Sequence, residues 1–226
     1  MSDGGSRVWL VIAAYNEGNR IEKTLCSLSG YNTIVVDDGS SDETYQLALK
    51  SATWVLRHPI NCGQGAAIQT GIDFALTRRA RAIVTFDADG QHDPADLPEM
   101  LAPVLDGSCD VVLGSRFRGQ SVNIPRIRRL MLRIATWFTR RTSGLEVSDT
   151  HNGFRVFSSI AARSIRIRQP RMAHASEILD QISSLGLRYT ERPVKIRYTA
   201  ETLAKGQKTS DAVRISGQLL AGRIWK

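Results

Sequence analysis

The first half of the chain alternates short apolar runs with segments that are apolar on one face only. The apolar runs predict buried strands at residues 8–13, 33–36, 53–56, 82–86 and 110–114. The one-sided segments predict helices at 18–29, from Asp42 to about Lys50, at 64–77 and after Asp93-Pro94. Because strands and helices alternate with short connections, the pattern predicts an α/β fold with an open, mostly parallel central sheet flanked by helices.

The second half of the chain is less regular and more basic. Residues 125–141 combine an apolar face with an arginine face at helical spacing, and residues 175–185 also predict a helix. Residues 152–157 predict a strand, and residues 187–198 predict a strand that is interrupted at Pro193. We expect the last 20 residues to form a peripheral helix.

Polar clusters follow four of the predicted strands. They are AYNEG, DDGSSD, DADGQHD and SRFRG, after the first, second, fourth and fifth strand. Because ligands of open α/β sheets bind beyond the carboxyl ends of the strands, these clusters predict one shared crevice.

The net charge of +8 is unevenly distributed along the 226 residues. Residues 1–115 carry 8 Lys or Arg against 15 Asp or Glu, residues 116–171 carry 13 against 2, and residues 172–226 carry 9 against 5. The basic middle predicts an anionic partner, such as nucleic acid, a membrane surface or a phosphorylated ligand. The acidic first half and the lack of a recognisable nucleic-acid module argue against nucleic acid.

Apolar runs and cysteine usage predict where the protein works. The longest apolar run has seven residues, Val8 to Ala14, whereas a membrane-spanning helix needs about 20. We therefore expect no spanning segment, and the first residues lack the features of a signal peptide. Three widely spaced cysteines without a CxxC motif predict a reducing compartment, so we expect a cytoplasmic protein.

The motif Asp87-Ala-Asp89 follows the fourth predicted strand. Two carboxylates at a strand end can bind one Mg²⁺ or Mn²⁺ ion, with Gln91 supplying a further oxygen. A turn followed by a helix cap is the alternative interpretation. We expect the neighbouring His92 to be a surface residue rather than a ligand.

The first two strand ends offer groups suited to a nucleoside. The Tyr15 ring could stack on a base, Glu17 could accept a hydrogen bond from a ribose or base donor, and Asp38 could accept one from a base N–H. Ordinary turn polarity is the alternative. Gly63 and Gly65 lie in a glycine-rich segment, but the GxGxxG and P-loop motifs are missing, which argues against a nicotinamide enzyme or a P-loop nucleotidase.

Five motifs occur in order along the chain: AYNE (14–17), DDGSSD (37–42), NxGxGA (61–66), DADGQHDP (87–94) and GSR (114–116). This set resembles the family 2 glycosyltransferases, most closely the dolichyl- or polyprenyl-phosphate sugar synthases, and the similarity continues through DTHNGFR (149–155). The resemblance implies one domain with the GT-A fold. We expect a nucleotide-binding half (1–115), an acceptor half (116–205) and a peripheral tail (206–226).

The resemblance also implies a reaction and a set of site residues. The reaction is inverting transfer of a sugar from a nucleoside-diphosphate donor, with Mg²⁺ or Mn²⁺ on Asp87, Asp89 and Gln91. The positions expected to bind the donor are Ala14, Tyr15, Glu17, Asp38, Gly63, Gly65 and Asp87. The positions expected to act in catalysis are Asp89, Arg116, Asp149 and Arg155, of which the two arginines match phosphate-contacting positions of the polyprenyl-phosphate branch.

The acceptor determines whether the enzyme needs a base. A phosphate monoester such as polyprenyl phosphate has a second pKa of about 6, so at neutral pH it is largely a dianion that needs cations rather than a base. A saccharide hydroxyl, the alternative acceptor for cell-wall or surface glycan assembly, needs a carboxylate within reach. Asp149 is the candidate base, and a salt bridge that positions Arg155 is its alternative role. The QxxRW signature of processive polysaccharide synthases is absent.

The basic helix predicted at residues 125–141 suits a membrane interface, since its apolar face lies opposite its arginines. A helix packed on the core is the alternative. We expect peripheral attachment to the cytoplasmic face of a membrane, where a separate membrane-protein partner could supply an anchor. Lys205 and Lys208 fall where the resembling branch has a basic loop near the active site. A catalytically silent binding protein is disfavoured because Asp87 and Asp89 are intact.

Overall fold

The computed structural model describes residues 7–118, 121–122, 136, 140–141, 144–150, 152–171 and 173–197. The strands are β1 (Val8–Ala14), β2 (Asn32–Asp37), β3 (Trp54–Arg57), β4 (Ala82–Thr85), β5 (Val111–Ser115), β6 (Ser121–Val122), β7 (Arg155–Ser158), β8 (Tyr189–Pro193) and β9 (Ile196–Arg197). The helices are α1 (Gly18–Ser27), α2 (Thr44–Ser51), α3 (Gln64–Thr77), α4 (Leu97–Leu105), α5 (Ser159–Ser164) and α6 (His174–Ser184). A 3-10 turn at Pro94–Asp96 precedes α4.

The central sheet has seven strands in the order β3-β2-β1-β4-β7-β5-β8. Its neighbouring strands are parallel except at β7, which runs antiparallel to both β4 and β5. A separate parallel pair joins β6 to β9. The predicted mixed α/β architecture with a mostly parallel sheet is therefore confirmed.

Buried side chains pack on both faces of this sheet. On one face, Leu10 and Ile12 of β1 pack in a cluster with residues of α1, α2 and α4. On the other face, Trp9 and Val11 pack in a cluster with residues of α3, α5 and α6. Successive side chains of a strand point to opposite faces, so a strand covered on both faces is apolar throughout. This explains the continuous apolar run that predicted β1.

Helix α3 has the bounds predicted from the sequence, and the residues of its predicted apolar face are buried: Ala67, Ile68, Gly71, Ile72 and Ala75. A side chain at Gly71 would overlap the Val11 side chain, so this glycine allows α3 to pack closely on β1. The close approach holds the middle of α3 against the sheet.

Several predicted boundaries differ from the structure. Helix α1 ends at Ser27 rather than at 29, α6 lies one residue earlier than predicted, and the strand predicted at 187–198 is divided after Pro193 into β8 and β9. Helix α2 begins at Thr44 with Glu43 at the N-cap position, although the Asp42 carboxylate still accepts a hydrogen bond from the Thr44 N–H at 3.0 Å. Strand β7 begins at Arg155, three residues later than predicted, because residues 152–154 form the approach to the strand. The other predicted strands of the first half are confirmed with ends shifted by at most one residue.

Several predictions concern residues that lie outside the described part of the chain. They include the tail 206–226, Lys205, Lys208 and the basic helix 125–141, apart from Thr136, Arg140 and Arg141. Within the described residues, none of the helices combines the length and the apolar content needed to cross a membrane.

Candidate active site

The carboxyl ends of β1, β2, β4 and β5 lie at one edge of the sheet, because these strands are parallel. Strand β7 is antiparallel and pairs Arg155 with Thr85 of β4 and Leu113 of β5. Its first residue and the residues before it therefore lie at the same edge. We call this edge, with the loops that leave it, the carboxyl edge. The four polar clusters for which a shared crevice is predicted therefore leave the sheet at this edge, and the crevice itself stays a prediction.

Asp87 follows β4 and accepts hydrogen bonds from two side chains. Its Oδ2 lies 2.8 Å from His92 Nε2, and its Oδ1 accepts a hydrogen bond from Gln64 Nε2 at 3.3 Å. Burial disfavours its charge, but the His92 hydrogen bond and the positive charges of His92, His174 and Arg155 outweigh that cost and lower the pKa of Asp87. The Asp87 carboxylate is therefore held ionised.

Asp89 has the opposite electrostatic balance. Burial and the nearby negative charge of Asp87 raise the pKa of Asp89, and a hydrogen bond from the Gln91 backbone N–H at 3.0 Å offsets only part of this. Two carboxylates that repel one another favour a divalent cation between them, and oxygen ligands suit Mg²⁺ and Mn²⁺. The residues present thus fit a hard divalent cation.

His92 is a buried residue, so the prediction that it lies at the surface is wrong. Its ring is 6% exposed and packs against Phe86 and Phe154, with centroid separations of 5.2 and 5.3 Å. The imidazole can be buried because its Nε2 forms a hydrogen bond with Asp87, so one of its two polar ring atoms has a partner. The sequence places His92 beside charged residues, whereas its position between two phenylalanines depends on the fold.

Gly153 allows the approach of the chain to Asp87. A Cβ atom at this position would overlap both carboxylate oxygens of Asp87. The Gly153 carbonyl also accepts a hydrogen bond from Thr85 Oγ1 at 2.6 Å, which joins the approach to β7 to the end of β4. Only glycine fits between the strand and the carboxylate.

The predicted nucleoside-binding residues lie at the ends of β1 and β2. The Tyr15 side chain is 48% exposed beyond β1, as a ring that stacks on a base must be. Glu17 pairs with Arg20 at 3.1 Å and donates its backbone N–H to Thr44 Oγ1. Ala14 is buried, and its carbonyl accepts the Asp38 N–H at 2.8 Å.

The Asp38 carboxylate lies almost entirely inside the protein. Its Oδ1 lies 2.7 Å from His58 Nδ1 and accepts the Cys62 N–H at 2.9 Å, while its Oδ2 accepts the Gly63 N–H at 2.7 Å. Carboxylate, imidazole and thiol ligand atoms of Asp38, His58 and Cys62 lie within 4.8 Å of one another. Because Asp38 and His58 already bond to one another, we interpret the group as a hydrogen-bond cluster rather than a metal site.

Gly63 and Gly65 pack against the segment that precedes α6. A Cβ atom at Gly63 would overlap the Pro170 carbonyl, and one at Gly65 would overlap the Gln169 carbonyl. The Gly65 N–H also donates to the Pro170 carbonyl at 2.7 Å. Both glycines therefore have a packing role, and donor contact at these positions stays a prediction.

Asp149 pairs with Arg116 at the end of β5. Its Oδ2 accepts hydrogen bonds from Arg116 Nε at 2.6 Å and from the Arg116 backbone N–H at 3.1 Å, and Asp149 is 3% exposed. Of the two roles that the sequence leaves open for Asp149, a base and a salt bridge to Arg155, the second has Arg116 as its partner among the described contacts. The charge of Asp149 still acts on Arg155 through space.

Arg155 is buried at the start of β7. Its Nη2 donates to the carbonyls of Thr150 and Ala175, both at 3.4 Å. Burial lowers the pKa of Arg155 to about 10, while the charges of Asp87 and Asp149 favour its protonated form. Arg155 thus remains a cation at neutral pH between the two carboxylates.

Glu191 of β8 is a buried acid that the sequence analysis missed. Its carboxylate accepts hydrogen bonds from the Ser148 N–H at 2.6 Å and from Arg118 Nε at 3.0 Å. These bonds hold the residues next to Asp149 against the sheet. Its position in an alternating strand gave no chemical signal, since the nearer of these two partners in sequence, Ser148, is 43 residues away.

Comparisons with known proteins show the family to which the chain belongs. Residues 9–166 match the family model described as glycosyl transferase family 2. The chain is 30% identical over 243 residues to the UDP-N-acetylglucosamine–dolichyl-phosphate N-acetylglucosaminyltransferase of Methanococcus voltae, with 97% of each chain covered. It is 29% identical to the undecaprenyl-phosphate mannosyltransferase of Micrococcus luteus, over 92% of this chain and 91% of that protein.

Solved structures agree on the fold. Glucosyl-3-phosphoglycerate synthase from Mycobacterium tuberculosis, crystallised with Mn²⁺, uridine diphosphate and glucosyl-3-phosphoglycerate, matches with a TM-score of 0.73 and 21% identity, over 96% of this chain and 78% of that one. The predicted GT-A fold is confirmed. Since the family model covers most of the sequence, the chain belongs to glycosyl transferase family 2 and is a glycosyltransferase.

Proposed function

We propose that this protein transfers a sugar from a nucleoside-diphosphate donor to a polyprenyl phosphate at the cytoplasmic face of a membrane. The observation that carries the proposal is the pair of carboxylates, Asp87 and Asp89, at the carboxyl edge. The negative charge of Asp87 is stabilised by its surroundings, whereas that of Asp89 is disfavoured. Two relatives aligned over nine tenths of their length are named for transfer to dolichyl phosphate and undecaprenyl phosphate.

Asp87 and Asp89 would hold Mg²⁺ or Mn²⁺, and Gln91 lies two residues further along the same turn. His92 keeps Asp87 oriented through its 2.8 Å contact, as outer partners of metal-binding carboxylates do. When bound, the cation supplies Lewis-acid stabilisation of the charge that develops on the leaving diphosphate. The synthase from Mycobacterium tuberculosis, crystallised with Mn²⁺ and uridine diphosphate, supports this assignment.

The donor nucleoside would lie at the ends of β1 and β2. The exposed Tyr15 ring offers a stacking surface, and Glu17 offers a carboxylate next to it. The Asp38 carboxylate already accepts hydrogen bonds from His58, Cys62 and Gly63, so we assign to it the role of organising this half of the site. Holding the donor in one orientation makes the reaction with the acceptor effectively intramolecular.

The surroundings of Asp149 favour a phosphate acceptor over a hydroxyl acceptor. A general base needs a carboxylate that can reach the substrate proton, but Asp149 is buried and bonded twice to Arg116. A polyprenyl phosphate needs no base, because it is already ionised, and it needs the positive charge that Arg116 and Arg155 would supply. Attack by its oxygen in a single displacement would invert the anomeric carbon.

The first experiment tests the donor and the cation. Thermal unfolding is measured with uridine, guanosine and cytidine diphosphates, each with and without Mn²⁺. We expect one nucleotide to stabilise the protein, and to do so more strongly with Mn²⁺. The matching nucleotide sugar is then incubated with a short-chain polyprenyl phosphate in detergent, and the anomeric configuration of the product is read by NMR.

The variant Asp89→Asn should abolish both the Mn²⁺ effect and transfer. Asp73→Asn is the matched control, since Asp73 is an exposed carboxylate of α3 that pairs with Arg166. Transfer to a saccharide but not to polyprenyl phosphate would overturn the acceptor class. A product with retained configuration would overturn the single displacement.

A further inference from the structure

His58 lies directly after β3 and links three parts of the carboxyl edge. Its backbone N–H donates to the Asp37 carbonyl of β2 at 2.9 Å. Its Nδ1 lies 2.7 Å from Asp38 Oδ1, and its Nε2 lies 3.0 Å from Thr70 Oγ1 of α3. The imidazole therefore bridges the end of β2 to the second turn of α3.

The protonation of this bridge follows from its partners. A carboxylate only accepts hydrogen bonds, so Nδ1 carries the proton that is donated to Asp38. In the neutral ring Nε2 is an acceptor, and the Thr70 hydroxyl can donate to it. The result is a directed chain from Thr70 through His58 to Asp38. It leaves no polar atom of the imidazole without a partner.

Asp38 extends the same chain into the loop that leads to α3. Its two remaining bonds come from the backbone N–H groups of Cys62 and Gly63. The turn after Asp38 also packs on this loop, because Gly39 has a φ of +72° and a Cβ there would overlap the Ile60 backbone. The DDGS turn and the loop 58–63 therefore form one packed unit.

This unit also connects to the proposed nucleoside contacts. Ser40 Oγ accepts the N–H of Asn16, the residue between Tyr15 and Glu17, at 2.9 Å. Arg57 donates to the Ser40 carbonyl at 3.1 Å. The DDGS turn is thereby hydrogen-bonded to the backbone next to Tyr15.

We propose that His58 is a positioning residue for the nucleotide donor. It holds Asp38 and the loop 58–63 in place before the donor binds, so that binding need not order them. The inference rests on the proposed function, because it concerns the nucleoside half of the same site. His58 itself touches neither the proposed metal ligands nor the acceptor arginines in the described contacts.

The test compares variants along the chain of bonds. His58→Leu removes both side-chain contacts, His58→Asn keeps a donor near the position of Nδ1, and Thr70→Val removes only the far contact. Thr77→Val is the matched control, since Thr77 is an exposed threonine of α3 whose hydroxyl bonds to the Phe74 carbonyl. Each protein is measured by calorimetric titration with the nucleoside diphosphate, by steady-state kinetics and by thermal unfolding.

We expect His58→Leu to raise the donor KM and the nucleotide Kd about tenfold, in line with loss of a hydrogen bond to a charged group. The kcat value, the acceptor KM and the Mn²⁺ concentration for half activity should change less than about threefold, because the metal and acceptor residues keep their contacts. His58→Asn should bind the nucleotide more tightly than His58→Leu but more weakly than the unchanged protein. Thr70→Val should lose less nucleotide affinity than His58→Leu, and Thr77→Val should bind as the unchanged protein does.

The outcomes separate this inference from the proposed function. If the unchanged protein binds no nucleoside diphosphate, the proposed function fails and this inference fails with it. If the unchanged protein binds and His58→Leu binds equally well, only the inference fails. A fall in kcat with an unchanged donor KM would also overturn it. If His58→Leu does not fold, the two milder variants test the inference instead. A partial loss of nucleotide affinity in His58→Asn and Thr70→Val supports it, and unchanged affinity in both overturns it.

Discussion

Asp38 beyond β2 and Asp89 beyond β4 lie at the same carboxyl edge, but their carboxylates have different surroundings. Asp38 accepts three hydrogen bonds from His58, Cys62 and Gly63 in the loop that follows β3, whereas Asp89 accepts one from the Gln91 N–H and faces the negative charge of Asp87. Asp38 is therefore part of the internal structure of the site. Burial and the negative charge of Asp87 disfavour ionised Asp89, and the proposed cation would offset both effects. The comparison shows that one acidic motif at a sheet edge, that of Asp38, can stabilise the site, while another motif at the same edge, that of Asp89, stays available for a ligand.

The largest expected effect comes from Asp89→Asn. We expect activity to fall by at least about 100-fold, as when one preorganised electrostatic group is removed from an active site. The metal-free protein should be equally stable or more stable, because burial and Asp87 raise the pKa of Asp89. A raised carboxyl pKa means that ionised Asp89 opposes folding, and this penalty disappears as pH falls through the folded pKa. Activity assays and metal-free melting curves, compared with Asp73→Asn, test both expectations.

Full activity in Asp89→Asn would contradict the proposal that Asp89 binds the divalent cation. A melting temperature several degrees lower than that of Asp73→Asn would contradict the electrostatic difference between Asp38 and Asp89.

The second prediction concerns Asp38→Asn, which should lower the free energy of unfolding by about 2 kcal/mol. An asparagine can accept the hydrogen bonds at one oxygen, but its amide N–H₂ then faces the Gly63 N–H, so two donors meet. Urea unfolding of the metal-free protein measures the change, again beside Asp73→Asn. An unchanged denaturation midpoint would show that the three bonds to Asp38 do not stabilise the fold.

The third prediction concerns Gly153→Ala. The new methyl group overlaps the Asp87 carboxylate, so Asp87 must move, and the apparent Mn²⁺ affinity should fall about tenfold. Gly71→Ala is the matched control, because its methyl group overlaps Val11 in the core instead. We expect Gly71→Ala to lower the melting temperature without changing the Mn²⁺ dependence. Equal Mn²⁺ affinity in both variants would contradict the proposed role of Gly153.

The smallest effect is expected for Asp42→Ala, which should cost about 1 kcal/mol of stability, as for the loss of a helix-capping side chain. Partial burial opposes the charge of Asp42, but hydrogen bonds from Thr44 and Gly18 outweigh it and lower its pKa. The contribution is therefore present above the ordinary pKa of aspartate and is lost as pH falls through the folded value.

Denaturation of Asp42→Ala at neutral and acidic pH measures this contribution. Glu43→Ala is the control, because the Glu43 side chain makes no capping bond to α2. A cost for Asp42→Ala that does not shrink in acid would contradict the electrostatic explanation.

Local periodicity predicted much of the fold. The bounds of α3 and the buried face that carries Ile68 and Ile72 followed from helical spacing, and the apolar run of β1 followed from burial on both faces. Strand ends in the first half of the chain were predictable to about one residue, since polar turn residues interrupt each apolar run. The antiparallel direction of β7 was not predictable, because a single short strand carries no signal of its direction.

The candidate site was predictable where chemistry follows a strand end directly. Asp87 and Asp89 belong to this class. The burial of His92 and the partner of Asp149 were not predictable, because packing determines both: two phenylalanines surround His92, and Arg116 reaches Asp149 across 33 residues. His58 and Glu191 were missed for the same reason.

The sequence by itself determined the family, the positions of the strands and the acidic residues at their carboxyl ends, because these depend on residue type and short-range spacing. Only the tertiary structure decided which of those carboxylates accept hydrogen bonds from other parts of the protein. It inserted β7 between β4 and β5, which brought Gly153 and Arg155 beside Asp87. It also joined His58 to Asp38 across 20 residues. The physical reason is that hydrogen bonding and burial of a carboxylate depend on atoms distant in sequence, which no local pattern records.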